Sequence, residues 1–185
     1  MGLVFSRYGS VETLQIADDV IVPLWEATHA DVIDRPFYST DRFVERLRGY
    51  AGAPTFEFVI AYRDGTALGL AFGYGLVTGR WWEGLEPSIE LPEGFTDERG
   101  GGRTFAFNEL MVIPEARGQG VAHALHDELL RGRPEERATL LTREDNVSAQ
   151  SAYARWGWQK VGKLKPYPDS PNFDAFVLPL PLPPH

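Results

Sequence analysis

Residues 109–123, Glu-Leu-Met-Val-Ile-Pro-Glu-Ala-Arg-Gly-Gln-Gly-Val-Ala-His, combine an apolar run, a glycine-bearing turn and the start of a helix. Gly118 and Gly120 have no Cβ where the turn must be tight and a ligand must come close. The helix that follows offers its first, unpaired N–H groups and the positive end of its dipole. Such a turn suits a phosphate or a pyrophosphate. A Gly-x-Gly turn alone is equally an ordinary strand-to-helix connection, so the surrounding elements must decide. His123 and His126 stand at i,i+3 spacing on the same helix. With no third ligand nearby they read as polar helix residues, and no metal is expected.

The elements that would position this turn follow from periodicity. Residues 3–7 read as a first strand, and 17–32 as a helix with a kink at Pro23. Thr40 or Asp41 can cap a second helix, whose Phe43, Val44 and Leu47 form an apolar face before Gly49. Strands at 55–63 and 67–77 are joined by Asp64-Gly65, a strong hairpin signal. Residues 78–102 carry Trp81, Trp82, several acids and Gly100-Gly101-Gly102, and read as an inserted irregular loop. A strand at 103–113 precedes the glycine turn, and a helix runs from about Gly118 to Leu130. Then come a strand at 138–142, a helix capped by Asn146 and stopped by Gly157, and strands at 158–162 and 173–180. The Pro/Leu-rich tail at 181–185 reads as extended. The order is α/β with a mixed sheet, and in such sheets ligands bind outside the carboxyl ends of strands.

Composition narrows the function. With 185 residues and 43% hydrophobic content, the chain reads as a single domain spanning 1–185 with a real core. The absence of cysteine excludes disulfides, thiolate metal sites and a cysteine nucleophile. A net charge of -8 argues against a nucleic-acid partner and mildly favours a cationic substrate. The first residues lack a signal-peptide pattern and no apolar run reaches membrane-spanning length, so no membrane is expected and a cytoplasmic protein is the default.

Two segments resemble the GNAT superfamily of acyl-CoA-dependent N-acyltransferases. Arg117-Gly118-Gln119-Gly120-Val121-Ala122 fits the family's phosphate turn, Arg/Gln-x-x-Gly-x-Gly/Ala. Asn146-Val-Ser-Ala149 through Tyr153 to Gly157-Trp158 looks like its Asn-x-x-Ala-x-x-x-Tyr-x-x-x-Gly-aromatic signature. Two motifs at the right spacing, covering 109–162, are far more specific than either alone. The resemblance implies a mixed, mostly antiparallel sheet of six to seven strands flanked by helices and splayed between the fourth and fifth strands. It implies acetyl-CoA as co-substrate, its pantetheine arm pairing with the backbone of Leu110, Met111 and Val112. The pyrophosphate would then rest on Gly118, Gln119, Gly120, Val121, Ala122 and His123, with Asn146 reaching the pantetheine or simply capping its helix.

The same resemblance implies the catalytic roles. An alkylamine has a pKa near 10.4 and is mostly ammonium at neutral pH, so a base must take its proton. Glu109, on the strand beside the expected thioester, is the candidate base; it is equally placed to orient substrate or to join a salt bridge. Tyr153 matches the family's general acid to the departing thiolate, with core packing as its other reading. A backbone N–H near Met111 would hold the carbonyl oxygen. Trp81 and Trp82 can stack on a ring or a cation as substrate-binding residues, with Glu83, Glu86 and Glu90 attracting an amine, or pin the insertion to the core. The expected acceptor is a small-molecule primary amine. A protein N-terminus or lysine, or a non-catalytic acyl-CoA sensor, are the alternatives, and a homodimer stays open. A nucleotide-binding protein is set aside, because no Gly-Lys-Ser/Thr follows the turn.

Overall fold

The computed structural model describes residues 2–183; Pro184 and His185 of the expected extended tail lie outside them. In chain order the elements are β1 (Val4–Tyr8), α1 (Ser10–Gln15), a π-helical turn (Ala17–Ile21), α2 (Val22–Thr28), α3 (Thr40–Ala51), β2 (Glu57–Arg63) and β3 (Thr66–Gly75). They continue with β4 (Glu86–Pro87), β5 (Thr104–Val112), α4 (Val121–Leu130), β6 (Arg137–Arg143), α5 (Val147–Arg155), β7 (Gln159–Leu164) and β8 (Phe173–Pro179). The strands form a mixed, mostly antiparallel eight-stranded sheet in the order β1-β2-β3-β5-β6-β8-β7-β4. Among the described residues no helix is long and apolar enough to cross a membrane.

The chain falls into two compact units, Met1–Tyr74 with Phe107–Arg131, and Gly75–Ala106 with Gly132–His185. In the first unit β2 pairs antiparallel with both β1 and β3. Asp64 and Gly65 both take positive φ, 52° and 79°, the pattern a two-residue hairpin turn needs to match strand twist. Phe58 and Phe72 stack at 5.5 Å across this hairpin and are fully buried. A Cβ on Gly69 would collide with the Met111 carbonyl oxygen, so glycine there lets β3 approach the end of β5.

In the second unit the parallel pairing of β5 with β6 runs from Thr104↔Arg137 to Ala106↔Thr139. β6 and β7 flank β8 in antiparallel register. Trp82, Phe95, Val161, Leu164 and Ala175 form a buried cluster in this unit.

Several expectations need correction. The helix expected at 17–32 is two segments, the π turn and α2, because Pro23 occupies the first turn of α2, where its missing N–H costs nothing, and starts that helix instead of kinking it; α1 precedes both and was not expected. α1 carried no apolar stripe, since Val11 and Leu14 are exposed. Ser39, not Thr40 or Asp41, caps α3 by accepting from the Arg42 N–H, and the helix runs past Gly49 to Ala51. α4 starts at Val121, not Gly118, because Gly118 and Gly120 are left-handed at φ 72° and 79°. The insertion is not wholly irregular. It supplies β4, an eighth strand beyond the six to seven expected, paired with β7 through Pro87↔Gly162. A Cβ on Gly162 would strike the Glu86 carbonyl oxygen, so this pairing depends on glycine.

Candidate active site

The glycine turn lies in the first unit. Pro114–Ala116 form one 3₁₀ turn at the exit of β5, and the Ile113 N–H donates to the Leu68 carbonyl at 2.9 Å. Arg117 folds back so that Nε donates to the Val112 carbonyl at 3.2 Å. Gln119 Nε2 donates to the Glu115 carbonyl at 2.8 Å, while Gln119 Oε1 accepts from Arg63 Nη1 at 2.7 Å. The first backbone bond of α4 runs from the Ala124 N–H to the Gly120 carbonyl at 3.0 Å. The first turn of α4, at Val121 and Ala122, therefore precedes the helical ladder, the part of a helix that suits an anion.

Glu109 sits on β5 in the same unit, part-exposed at its surface yet deeply surrounded by protein atoms. Desolvation pushes its carboxyl up to about 7, opposed by the positive charge of Arg46 and by the Leu110 N–H, which donates to it. Arg46 is buried on α3, donates from Nη1 to the Phe37 carbonyl at 2.7 Å, and lies 4.1 Å over the Phe37 ring. It also stands 5.8 Å from the Trp25 ring. Trp25 itself is stacked between His29 at 3.6 Å and Phe43 at 4.0 Å, its indole N–H on the Tyr38 carbonyl. Thr28 Oγ1 donates to the Leu24 carbonyl at 2.8 Å and lies 3.4 Å from Met111 Sδ, where α2 meets β5. Asn108, beside Glu109, has a buried Oδ1 with no hydrogen-bond partner among the described residues.

Reading the sequence for motifs missed this Arg46–aromatic support. Its one signal was a charged residue at the i+3 position from Phe43, on the face that Phe43 and Leu47 bury.

Tyr153 belongs to the second unit, on α5, with 9% of its surface exposed. Its ring meets Trp156 at 5.7 Å and Trp158 at 6.0 Å, both edge-on. Asn146 caps α5, its side chain accepting from the Ala149 N–H at 3.1 Å. The helix ends as the Trp156 and Trp158 N–H groups converge on the Tyr153 carbonyl, and Gly157 turns the chain at φ 90°.

Trp81 and Trp82, read either as substrate-binding residues or as pins for the insertion, are placed with the core of the second unit. Trp82 is buried and donates Nε1 to Glu98 Oε1 at 2.7 Å; Trp81 packs against the same cluster. Glu98 Oε1 also accepts from Thr104 Oγ1 at 3.0 Å and pairs with Arg137 Nη2 at 3.2 Å. Arg137 donates onward to Thr104 Oγ1 and the Phe95 carbonyl, with its guanidinium 4.3 Å over the Phe95 ring. The tryptophan pair thus fastens the insertion to its own unit.

One histidine expectation changes. The structure brings Asp127 to the pair, with His126 Nδ1 at 2.7 Å and His123 Nε2 at 3.6 Å from Asp127 Oδ1, so a third ligand-type group does lie nearby. The hydrogen bond and ion pair among the three account for the cluster. Burial lowers the His126 pKa more than Asp127 raises it.

The fold is thus an open mixed α/β sheet with a glycine turn between a strand and a helix. The model of the acetyltransferase (GNAT) family matches residues 24–158. The chain belongs to that family. It is 32% identical over 106 residues to a GCN5-like protein acetyltransferase of Mycobacterium tuberculosis, a match covering 51% of this chain and 48% of the relative, so the chain spans about half the length of that protein. Its fold is similar to a GNAT-family acetyltransferase from Streptococcus agalactiae (TM-score 0.67, 16% identity, 98% of this chain and 97% of that one). It is also similar to the PaiA N-acetyltransferase of Thermoplasma acidophilum, solved in complex with coenzyme A (TM-score 0.58, 12% identity, 97% and 100%).

Proposed function

We propose that this acetyltransferase moves an acetyl group from acetyl-CoA to a primary amine of a small molecule, with Glu109 as base and Tyr153 as acid. One observation carries the reading. Residues 109–123 hold both a carboxyl whose pKa is raised to about 7 and a glycine turn that leads into the N-terminus of α4.

The chemistry follows from those two features. A base is most effective when its pKa lies near the working pH, and an ordinary carboxylate is too weak to deprotonate an ammonium group efficiently. At pH 7 Glu109 is about half ionised and a stronger base than a solvated glutamate. It takes the amine proton directly or through one water. The amine nitrogen then forms its bond to the acetyl carbon, the C–S bond breaks, and Tyr153 supplies the proton to sulfur. A thiol of pKa near 8.5 leaves readily, so the acid contributes about 10²-fold. Leu110, Met111 and Val112 would pair with the pantetheine arm, and the Val121–His123 amides would take the pyrophosphate.

A protein lysine or N-terminus is the second reading, supported by the similarity to the Mycobacterium tuberculosis protein acetyltransferase. A catalytically silent acyl-CoA sensor is the third. Release of free thiol from acetyl-CoA over a panel of polyamines, aminoglycosides, amino acids, aryl amines and lysine peptides separates all three. Turnover with a small amine, slowed about 10²-fold by Tyr153→Phe, is the expected result. Turnover with peptides alone would move the acceptor to protein. Tight acetyl-CoA binding without turnover favours the sensor, and no binding of acetyl-CoA would end the reading.

A further inference from the structure

The charge on coenzyme A is concentrated in its pyrophosphate and its 3′-phosphate, and the two have different needs. A pyrophosphate can lie against backbone amides, which carry only partial charge. A ribose phosphate stands farther from the turn and, as a dianion, is best met by a full positive charge. In a chain of net charge -8 most candidates for that role are already neutralised. Arg7 pairs with Glu57 and Glu128, Arg42 with Glu45, Arg131 with Glu128, and Arg143 with Asp145.

Arg63 differs. It is the last residue of β2, next to the Asp64-Gly65 turn, and among the described residues it is in no ion pair. Its Nη1 donates to Gln119 Oε1 at 2.7 Å, and Gln119 is held in turn by the Glu115 carbonyl. The contact occupies one of five N–H donors and leaves the charge uncompensated, because an amide oxygen is neutral. The guanidinium is therefore fixed on the rim of the glycine turn. It reaches that rim from a different element than the amides, and its remaining fork is of the kind that matches phosphate oxygens. Arg117, the other arginine of the turn, is exposed and spends its Nε on the Val112 carbonyl of its own strand.

We propose that Arg63 recognises the 3′-phosphate of coenzyme A and makes the protein selective for CoA over its 3′-dephospho form. The proposal rests on the acyl-CoA reading given above. Gln119 acts as the clip that holds Arg63 ready beside the turn, so ordering a long side chain adds little to the cost of binding.

Calorimetric titration of the full chain with CoA and with dephospho-CoA tests this, using the unaltered protein, Arg63→Ala and Arg63→Lys. The unaltered protein should bind CoA about tenfold more tightly than dephospho-CoA, the size expected of one charge-assisted contact. Arg63→Ala should lose that preference while changing dephospho-CoA affinity less than about twofold, and Arg63→Lys should keep part of it. Equal weakening toward both ligands would overturn the proposal and leave Arg63 as a brace for the turn. No weakening toward either would overturn it outright. If the unaltered protein bound neither ligand, the acyl-CoA reading itself would fall before any variant was compared. Unfolding midpoints of the variants, expected to stay close to the parent for a half-buried residue at the end of β2, guard against misfolding.

Discussion

The two units each contain a glutamate set among an arginine and aromatic rings, and the two glutamates have opposite fates. In the second unit, Glu98 is buried and bonded to Trp82, Thr104 and Arg137. In the first, Glu109 has the Leu110 N–H and the field of Arg46, whose Nη1 donates to the Phe37 carbonyl. Charge-assisted bonds hold the first carboxylate in place, whereas desolvation dominates the second and lifts it to about 7. Similar ingredients give a structural tie in one place and a carboxyl of raised pKa in the other. What differs is how many donors converge on the carboxylate, a property of the fold and not of the residue type.

The comparison can be broken at its structural end first. Glu98→Ala leaves the part-buried Arg137 without its hydrogen-bonded counter-charge, with only the field of Glu136 remaining, although burial and Arg103 already press the guanidinium toward its neutral form. Loss of one partner of a buried pair costs about 3–5 kcal/mol, so the denaturant midpoint should fall sharply. Glu98→Gln keeps the shape and the acceptor oxygen and should cost about 1–3 kcal/mol. A shift near zero for both would mean that the network does not hold the insertion.

At the chemical end the sign reverses. Glu109 is protonated in both states below pH 4.5 and ionised in both above about 7, while between these values only the unfolded chain is ionised. The unfolded state then binds fewer protons, so stability falls as pH rises through that window and levels off above it. Glu109→Gln removes the titration. Its melting temperature relative to the parent should therefore climb between pH 4.5 and 7, measured by thermal unfolding across the range. A constant offset would place Glu109 in a solvated setting and dissolve the contrast with Glu98.

How far these features could be read from sequence depends on whether they are local. The hairpin turn at Asp64-Gly65, the left-handed Gly118 and Gly120, and the Asn146 cap are decided by neighbouring residues, and each appears where its residue types demand. β4 was hidden, because its two residues become a strand only where Gly162 lets β7 close on Glu86. α1 was hidden for want of a buried stripe, Val11 and Leu14 both being exposed. Glu98 looked like one more acid in a polar loop. Nothing in its sequence neighbours shows that Arg137, far along the chain, would meet it. Arg46 and Arg63 were missed for the same reason, since their partners Phe37 and Gln119 are set by helix packing and by the meeting of hairpin and turn. Glu109 was legible as a position; its raised pKa was not, because desolvation belongs to the packed surroundings.

The most direct test of the account is the pH dependence of kcat/KM for thiol release with the best acceptor, in the parent and in Glu109→Gln. The account predicts a limb rising to a plateau through an apparent pKa near 7 in the parent. That limb should be absent from a variant slowed by about 10²–10⁴-fold. The same limb at the same rate in both proteins would contradict it, and would remove Glu109 from the chemistry.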